Sequence, residues 1–227
     1  MTRSSTTVLR VSISNLVILV PVLGRPHRVR MVIDAFASAT PDARLVFIPD
    51  PDDQPELDAI EEAGGEILLT LKANYAGKIN SAVACTSEPL IFLGADDLVP
   101  AEDWLEKALA HMQNGVEVVG VNDMIQRGRQ HTTHFLMTRR YAELPVITGE
   151  RGPLCEIYDH SCTDDELIET AKHRNAYAYA ADAHVTHLHP DNATAPIDDT
   201  YRKGRRRIGD DRRIWKSRRT WYLEPRY

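Results

Sequence analysis

An alternation of short apolar segments with helical segments, over the first 110 residues, constrains the fold more than any other feature. The strand-like segments are uniformly rich in Val, Ile and Leu, and they read "LVILVPV", "ARLVFIPD", "GEILLTL" and "PLIFLG". Strands that are apolar at every position are buried on both faces, as in a parallel sheet covered by helices on both sides. The sequence therefore predicts an α/β fold with a mostly parallel, Rossmann-like central sheet.

The segments between these strands have the spacing of helices. In "RVRMVIDAFASAT", apolar residues recur at helical intervals, and "PELDAIEEAGG" is a short helix ended by glycine. Further along, "VEVVGVND" and "AYAYAADAHVTHLH" are predicted strands and "DDELIETAKHRN" a helix, whereas "MIQRGRQHTTHFLMTRRYAEL" is less regular. A change of subdomain is expected near residue 120, without a linker.

Length and composition describe an ordinary globular protein. The chain has 227 residues, of which 43% are hydrophobic and 26% charged, so neither a disordered nor a fibrous protein is expected. Its most apolar N-terminal stretch, residues 16–23, is too short to span a bilayer and contains Pro21. No cleavage site typical of a signal peptide follows it. We therefore predict a cytoplasmic protein without a transmembrane segment.

Charge is distributed unevenly along the chain. Residues 201–227 contain 11 Lys and Arg against 3 Asp and Glu, a net charge of +8, and the first 200 residues carry 16 against 30, a net charge of −14. Three interpretations stay open for this basic C-terminal extension. It could fold back as a lid over an acidic site, pack against the acidic body, or contact nucleic acid through its arginines and aromatic rings.

Acidic residues follow the predicted strands where a ligand site is expected. A doubly wound sheet binds its ligand at the carboxyl ends of its strands, which places residues 21–27, 50–53 and 94–97 at one rim. Asp96 and Asp97 directly follow an apolar strand, and buried carboxylates need a cation or a hydrogen-bond donor. Their oxygens suit Mg²⁺ or Mn²⁺. The alternative for Asp97 is that it only caps the next helix.

Two further motifs carry residues able to do chemistry. In "HVTHLHP", a strand would project His187 and His189 to the same face, where imidazoles can bind a metal, although surface or core histidines remain the alternative. In "CTDDELIETA", Thr163 and Glu166 form a predicted capping box. Asp165 then lies at a helix N-terminus. It either only stabilises the helix through the helix dipole or acts as a general base.

Taken in order, these motifs resemble the family 2-type glycosyltransferases with the GT-A fold. "VILVPVLGRP" is similar to the first strand and nucleotide loop of that family, and "FIPDPDD" to the second strand with its base-binding aspartate. "NYAGKINSAVACTSEPLIFLGADD" resembles the stretch that leads into the Asp-x-Asp motif. "TDDEL" resembles the catalytic-base motif, and "VTHLH" the late metal-binding histidine. The resemblance covers roughly residues 15–190.

The resemblance implies transfer of a sugar from a nucleoside diphosphate sugar to an acceptor hydroxyl, with inversion at the anomeric carbon. It implies a single GT-A-type domain over residues 1–200, with a nucleotide-binding half at about 15–120 and an acceptor half at about 121–200, and the extension at 201–227. A divalent cation, Mn²⁺ or Mg²⁺, would be held by Asp96, His187 and His189. Asp165 would be the catalytic base. The expected nucleotide-sugar contacts are Pro21, Arg25, Asp50, Lys78, Asn80 and Asp96.

One position departs from the family pattern. Where the family often has Asp-Ala-Asp-Asp, this chain has Gly94-Ala95-Asp96-Asp97, so the first aspartate is a glycine. The acceptor could be a protein, a glycan or nucleic acid. The departure and the basic extension together leave a second hypothesis open: a nucleotide-binding fold with reduced catalysis that acts as a nucleic-acid-binding module, or a glycosyltransferase acting on DNA bases.

Overall fold

The computed structural model describes residues 15–71, 73–125, 130–146 and 152–223, without the side chains of 221–223. Residues 1–14 of the predicted domain and 224–227 of the predicted extension lie outside this part. Eight strands form one curled sheet in the order β3-β2-β1-β4-β7-β6-β8-β5. Four of the seven pairings are parallel, namely β1 with β2, β1 with β4, β2 with β3, and β6 with β8. The predicted α/β fold with a mostly parallel sheet is confirmed.

The elements follow the predicted alternation closely. The strands are β1 Leu16–Pro21, β2 Arg44–Ile48, β3 Glu66–Ile67, β4 Leu90–Leu93, β5 Leu98–Pro100, β6 Val118–Asn122, β7 Phe135–Thr138 and β8 Tyr177–His187. The helices are α1 Val29–Ala39, α2 Gln54–Glu62, α3 Tyr75–Cys85, α4 Trp104–Ala110, α5 Arg139–Ala142, α6 Thr163–His173, α7 Asp199–Arg206 and α8 Ile208–Leu223.

The principal element that the sequence did not predict is β7. It lies in the segment described as less regular, and it pairs antiparallel with both β4 and β6 in the middle of the sheet. Its apolar run is only three residues long, Phe135 to Met137, which is too short for periodicity to distinguish a strand from other structures. Through β7 the single sheet joins strands from both predicted halves, 15–120 and 121–200.

Burial on both faces explains why the strands are apolar throughout. In β1, Leu16, Ile18 and Val20 belong to one core cluster, whereas Val17 and Leu19 belong to a second one. The first cluster includes residues of α1 and α4, and the second includes residues of α3 and α6. Because neighbouring side chains of a strand point to opposite faces, a sheet with helices on both sides requires an apolar residue at every position.

The basic extension packs on the acidic body through two polar anchors of α8. The Asp211 carboxylate accepts hydrogen bonds from the backbone N–H groups of residues 159, 160 and 161, at 2.9, 3.0 and 2.8 Å. The Arg218 guanidinium binds both carboxylate oxygens of Glu166 in α6, at 2.9 and 2.7 Å. Intramolecular packing is therefore the interpretation that the structure shows for α8. Contact with nucleic acid stays a prediction.

The Glu166–Arg218 pair is expected to contribute strongly to stability, because both side chains are less than a tenth exposed. Glu166→Ala should lower the free energy of unfolding by about 3–5 kcal/mol, since it removes one partner of a buried ion pair. Glu169→Ala on the same helix breaks only the more exposed pair with Lys172, and it should change stability by less than about 1 kcal/mol. Urea denaturation of both variants measures the difference, and equal losses would contradict it.

Candidate active site

The predicted rim exists at the carboxyl ends of β1, β2 and β4. Pro21 is the last residue of β1, Asp50 follows β2 by two residues, and Asp96 follows β4 by three. Because the three strands are adjacent and parallel, their ends lie side by side. Asp50, Asp96 and Asp97 are all buried, so each carboxylate depends on partners supplied by the protein or by a ligand.

The loop after β1 is fastened to its neighbours by its backbone. The N–H of Gly24 donates to Asp53 Oδ2 at 2.8 Å, and the N–H of Arg25 donates to Glu56 Oε2 at 2.7 Å. Both acceptors belong to the start of α2. The Lys78 ammonium from α3 donates to the carbonyl of Val22 at 2.9 Å. These contacts fix the position from which the Arg25 side chain enters the site.

Arg25 is the central cation of the site and is only 5% exposed. Its Nη1 lies 2.8 Å from Asp96 Oδ1 and 3.1 Å from Asp97 Oδ2. Its Nε and Nη2 bind the carboxylate of Asp198 at 2.8 and 3.1 Å. Arg28 adds a second guanidinium 3.3 Å from Asp97 Oδ2. The positive charge that the carboxylate pair requires thus comes from the loop after β1.

Asp97 does not cap the next helix, so that alternative is wrong. The residues after it form β5, and the N-cap of α4 is Asp103. The Asp97 carboxylate instead accepts the Tyr201 hydroxyl at 2.6 Å and lies 3.2 Å from His187 Nε2. Sequence alone could not separate the two aspartates, because both follow the same strand. In the structure they share one site.

The two adjacent carboxylates differ in their affinity for protons. Burial and the neighbouring charge of Asp97 raise the pKa of Asp96 to about 7, and Arg25 offsets this only in part. Burial also opposes ionisation of Asp97, but His187, the Tyr201 hydroxyl and Arg25 outweigh it and hold the pKa of Asp97 well below its usual range. Asp97 is therefore ionised at neutral pH, whereas full ionisation of Asp96 depends on a further cation.

Three histidines line the site beside the aspartates. His134 Nδ1 lies 3.2 Å from the carbonyl of Leu93 and its Nε2 lies 3.4 Å from His187 Nδ1. A carbonyl only accepts, so Nδ1 of His134 carries the proton, and burial lowers the pKa of His134 to about 4, which keeps the ring neutral at pH 7. His187 then donates from Nδ1 to His134, and its Nε2 lies 3.2 Å from Asp97 Oδ1.

The donor atoms fit a divalent cation in their chemistry. Asp97 Oδ1 is buried and receives no well-oriented hydrogen bond among the described residues, and it faces the Nε2 of His187. Oxygen and imidazole donors of this kind suit Mn²⁺ or Mg²⁺. In the described part of the chain, no three acidic, histidine or cysteine side chains are already arranged around one point. Arg25 lies against the carboxylates instead.

His189 lies beside His187 but is oriented differently from the prediction. Strand β8 ends at His187, so the two residues do not share a strand face, although their ring centroids are 5.1 Å apart. Nδ1 of His189 accepts the N–H of Asp191 at 3.1 Å, which leaves the ring proton on Nε2. Coordination by His189 Nε2 would therefore require a change of tautomer.

The other predicted nucleotide contacts have partners within the protein. Lys78 Nζ lies 2.8 Å from Asp50 Oδ1, so the residues expected to meet the base and the diphosphate are paired with each other. The Asn80 side-chain amide binds the backbone of Leu154 and the carboxylate of Glu156. Asn80 therefore fixes the loop before α6 in this arrangement.

The predicted base lies in a second acidic cluster at the start of α6. Burial and the neighbouring Asp164 raise the pKa of Asp165 to about 6. Asp164 Oδ2 lies 3.3 Å from His131 Nε2, and this contact raises the pKa of His131. The residue before the helix, Cys162, has a left-handed backbone with φ of 69°, a strained conformation that is often found at functional sites.

The predicted capping box of this helix is wrong. Cys162 is the N-cap, Thr163 is the first helical residue, and the Cys162 side chain makes no capping hydrogen bond. The Glu166 carboxylate accepts hydrogen bonds from Tyr158 and Arg218 instead. The capping box therefore does not account for Glu166, whereas Asp164 and Asp165 do lie in the first turn of α6, where the helix dipole stabilises negative charge.

Tyr75 connects the two acidic clusters. Its hydroxyl lies 3.3 Å from the carbonyl of Gly94, immediately before the aspartate pair. Burial raises the pKa of Tyr75, and the charges of both Asp164 and Asp97 raise it further. The charges of both clusters therefore act on the Tyr75 hydroxyl.

Several residues of the site were not found by sequence reasoning. Arg28, His134, Asp198 and Tyr201 all contribute to the cluster around Asp97. Arg28 lay within a predicted helix, and His134 lay in the segment without a predicted element. Asp198 and Tyr201 are separated from Asp97 by about a hundred residues of sequence, so only the fold brings them together.

Gly94 has a steric reason for the departure from the family pattern. A Cβ at this position would lie 3.1 Å from the carbonyl oxygen of Leu19 and 3.2 Å from Cγ2 of Val20. Gly94→Asp should therefore not restore a ligand, and it should lower the free energy of unfolding by about 1–3 kcal/mol through overpacking. Gly209→Ala, at an open position of α8, is the control and should not destabilise the protein. Urea denaturation distinguishes the two, and an equally stable Gly94→Asp variant would contradict the steric account.

Comparison with known proteins identifies the fold. No family model and no curated protein matches the sequence. The mannosyltransferase PcManGT from Pyrobaculum calidifontis, solved with GDP-Man and Mn²⁺, matches with a TM-score of 0.66 and 13% identity, over 93% of this chain and 65% of its own. Glucosyl-3-phosphoglycerate synthase from Mycobacterium tuberculosis, solved with Mn²⁺, UDP and glucosyl-3-phosphoglycerate, matches with a TM-score of 0.57 and 12% identity, over 76% of this chain and 71% of that one. The chain has the GT-A glycosyltransferase fold.

The resemblance inferred from the motifs is therefore confirmed at the level of the fold. This chain spans slightly less than two thirds of the length of the mannosyltransferase. In the part of the chain that the structure describes, no helix is both long enough and apolar enough to cross a lipid bilayer.

Proposed function

We propose that the protein is a glycosyltransferase that moves a sugar from a nucleoside diphosphate sugar to an acceptor hydroxyl with the help of a divalent cation. The observation that carries this proposal is the buried pair Asp96 and Asp97 at the end of β4, facing His187 Nε2, on a GT-A fold. Structural neighbours with this fold were solved with Mn²⁺ and nucleotides. The acceptor is not identified by these contacts.

The donor would bind across the carboxyl ends of β1, β2 and β4. Asp50 and Lys78, at the end of β2 and on α3, are proposed to contact the nucleotide, with Pro21 at the end of β1 and Asn80 nearby. Arg25 and Arg28 are proposed to bind the diphosphate, since a guanidinium offers paired N–H donors to phosphate oxygens. These arginines would stabilise the negative charge that develops on the leaving diphosphate.

Asp96, Asp97 and His187 would hold the divalent cation, with His189 beside them. The cation, when bound, supplies Lewis-acid stabilisation of the leaving diphosphate. The neutral His134 accepts from His187 Nδ1 and so fixes the orientation of that ring. Asp97 is already ionised, and Asp96 has a raised pKa. A bound cation would favour the ionised form of Asp96, so that both carboxylates would then be negatively charged.

Asp165 is proposed as the general base. It would take the proton of the acceptor hydroxyl while the acceptor oxygen bonds to the anomeric carbon. The bond from that carbon to the diphosphate oxygen breaks, and its electron pair leaves with the diphosphate. Attack from the face opposite the leaving group inverts the anomeric carbon. A pKa near 6 leaves Asp165 ionised, and still basic, at neutral pH.

A panel of UDP-, GDP- and dTDP-sugars with Mn²⁺ tests this proposal without knowledge of the acceptor. We expect one donor class to raise the thermal unfolding temperature and to be hydrolysed slowly, with release of the nucleoside diphosphate. Omission of Mn²⁺ should abolish the hydrolysis. If no sugar nucleotide binds the protein with or without Mn²⁺, the proposal fails. That result would favour the hypothesis that residues 201–227 bind nucleic acid.

A further inference from the structure

The segment Asp198–Tyr201, which we term the latch, lies directly on the proposed cation site. The Asp198 carboxylate caps α7 by accepting the N–H of Tyr201 and also binds Arg25 through two nitrogens, at 2.8 and 3.1 Å. The Thr200 hydroxyl donates to the carbonyl of Leu23 at 3.1 Å. The Tyr201 ring lies 4.3 Å from the Arg25 guanidinium, and its hydroxyl donates to Asp97 Oδ2 at 2.6 Å.

These contacts engage one oxygen of each aspartate of the pair, whereas Asp97 Oδ1 stays directed at His187 Nε2. Arg25 Nη1 binds Asp96 Oδ1, and Tyr201 binds Asp97 Oδ2. A guanidinium and a divalent cation repel each other, so each weakens the binding of the other to this carboxylate pair. With Asp198 on its other edge, Arg25 is held among three carboxylates.

The latch is attached more weakly to the body than the helix that follows it. No residue of α7 is buried, and the Asp198 side chain is 28% exposed. Helix α8, by contrast, is held by the buried groups Asp211 and Arg218. A segment with few buried contacts opens at lower cost than its neighbours. Helix α7 can therefore detach while α8 keeps its place.

We propose that residues 198–201 form an autoinhibitory latch that holds Arg25 on Asp96 and Asp97. Binding of a divalent cation and a nucleoside diphosphate breaks the Arg25–Asp198 and Tyr201–Asp97 contacts, transfers Arg25 from the carboxylates to the diphosphate, and releases α7. The identity of the diphosphate ligand rests on the proposed function, whereas the competition between Arg25 and the cation does not.

Binding of Mn²⁺ alone tests the latch without a nucleotide. Tyr201→Phe removes the hydroxyl contact with Asp97 but keeps the ring, and Thr200→Val removes the hydrogen bond to the Leu23 carbonyl without changing the charge of the site. Both variants should bind Mn²⁺ roughly 3- to 10-fold more tightly than the unaltered protein, as measured by electron paramagnetic resonance of free Mn²⁺. Arg205→Ala is the matched control, because Arg205 is an exposed residue of the same helix paired only with Asp191 among the described residues. It should bind Mn²⁺ like the unaltered protein.

Hydrogen exchange gives a second measurement that does not depend on variants. Backbone amides of residues 201–206 should exchange faster when Mn²⁺ and UDP or GDP are added, while those of α8 stay unchanged. Mn²⁺ affinities of the two latch variants equal to that of Arg205→Ala, or unmeasurable binding in all proteins, would overturn the proposal. Unchanged or slower exchange in α7 with bound nucleotide would overturn it as well. Failure of the proposed function is seen separately, as the absence of nucleotide binding in the unaltered protein.

Discussion

Asp165→Asn is expected to lower the rate of sugar transfer by roughly 10²–10⁴-fold and to leave donor binding intact. This is the range by which a positioned general base contributes to proton transfer. The asparagine keeps the size of the side chain but cannot accept the proton of the acceptor hydroxyl. Turnover with acceptor, compared with the thermal shift produced by donor and Mn²⁺, separates the two effects.

The pH dependence of transfer provides a check on the same residue. Asp165 works as a base only when ionised, and its pKa is raised to about 6. When Mn²⁺ is saturating and keeps Asp96 ionised, the rate of transfer should therefore be maximal above about pH 7 and should fall as pH decreases through 6. The residual rate of Asp165→Asn should not show this fall at low pH. Asp164→Asn is the discriminating control, because Asp164 is paired with His131. If Asp164→Asn lowers the rate of transfer more than Asp165→Asn does, the assignment of Asp165 as the base is wrong.

Asp96→Ala is expected to lower cation-dependent donor hydrolysis by at least roughly 100-fold. Lewis-acid stabilisation of a leaving group is worth several kcal/mol, and every 1.36 kcal/mol corresponds to a factor of ten in rate. The variant should also lose the rise in unfolding temperature that Mn²⁺ and donor give the unaltered protein. Without ligands it should remain folded, because it removes a carboxyl whose ionisation is opposed by burial and by the charge of Asp97, and Arg25 keeps Asp97 and Asp198 as partners.

Asp103→Ala is the matched control for this experiment. Asp103 is an acidic residue a few positions further along, and its carboxylate pairs with Lys107 at the surface of α4. It should keep both the thermal shift and the hydrolysis. An Asp96→Ala variant that hydrolyses the donor like Asp103→Ala would remove Asp96 from the proposed site.

The sequence determined the sheet and the position of the site. Uniformly apolar strands can be satisfied only by cover on both faces, and parallel strands necessarily gather their carboxyl ends at one rim. Strand pattern alone therefore places Asp50 and Asp96 correctly, each just after the end of its strand. The short strand β7 was missed, because three apolar residues among polar ones leave no periodic signal.

The sequence also identified the helix N-terminus that carries Asp165, but it assigned the wrong cap. A Thr three residues before a Glu fits the pattern of a capping box. In the structure the Glu166 side chain is drawn away by Arg218 of α8, a residue 52 positions later. The buried ion pair forms in place of the capping box, because a buried carboxylate is stabilised more by a guanidinium than by one backbone N–H.

The tertiary structure alone decided what surrounds the aspartate pair. From the sequence, Asp97 was either a helix cap or a second acid, and the basic extension had three interpretations. The fold brings Arg25, His187 and Tyr201 to Asp97 across separations of 72, 90 and 104 residues. Local sequence patterns carry no information over such distances, since these contacts arise from the packing of whole elements. The sequence by itself thus determined that Asp50 and Asp96 lie at one edge of the sheet. Only the tertiary structure determined that Arg25 and Tyr201 contact the aspartate pair there.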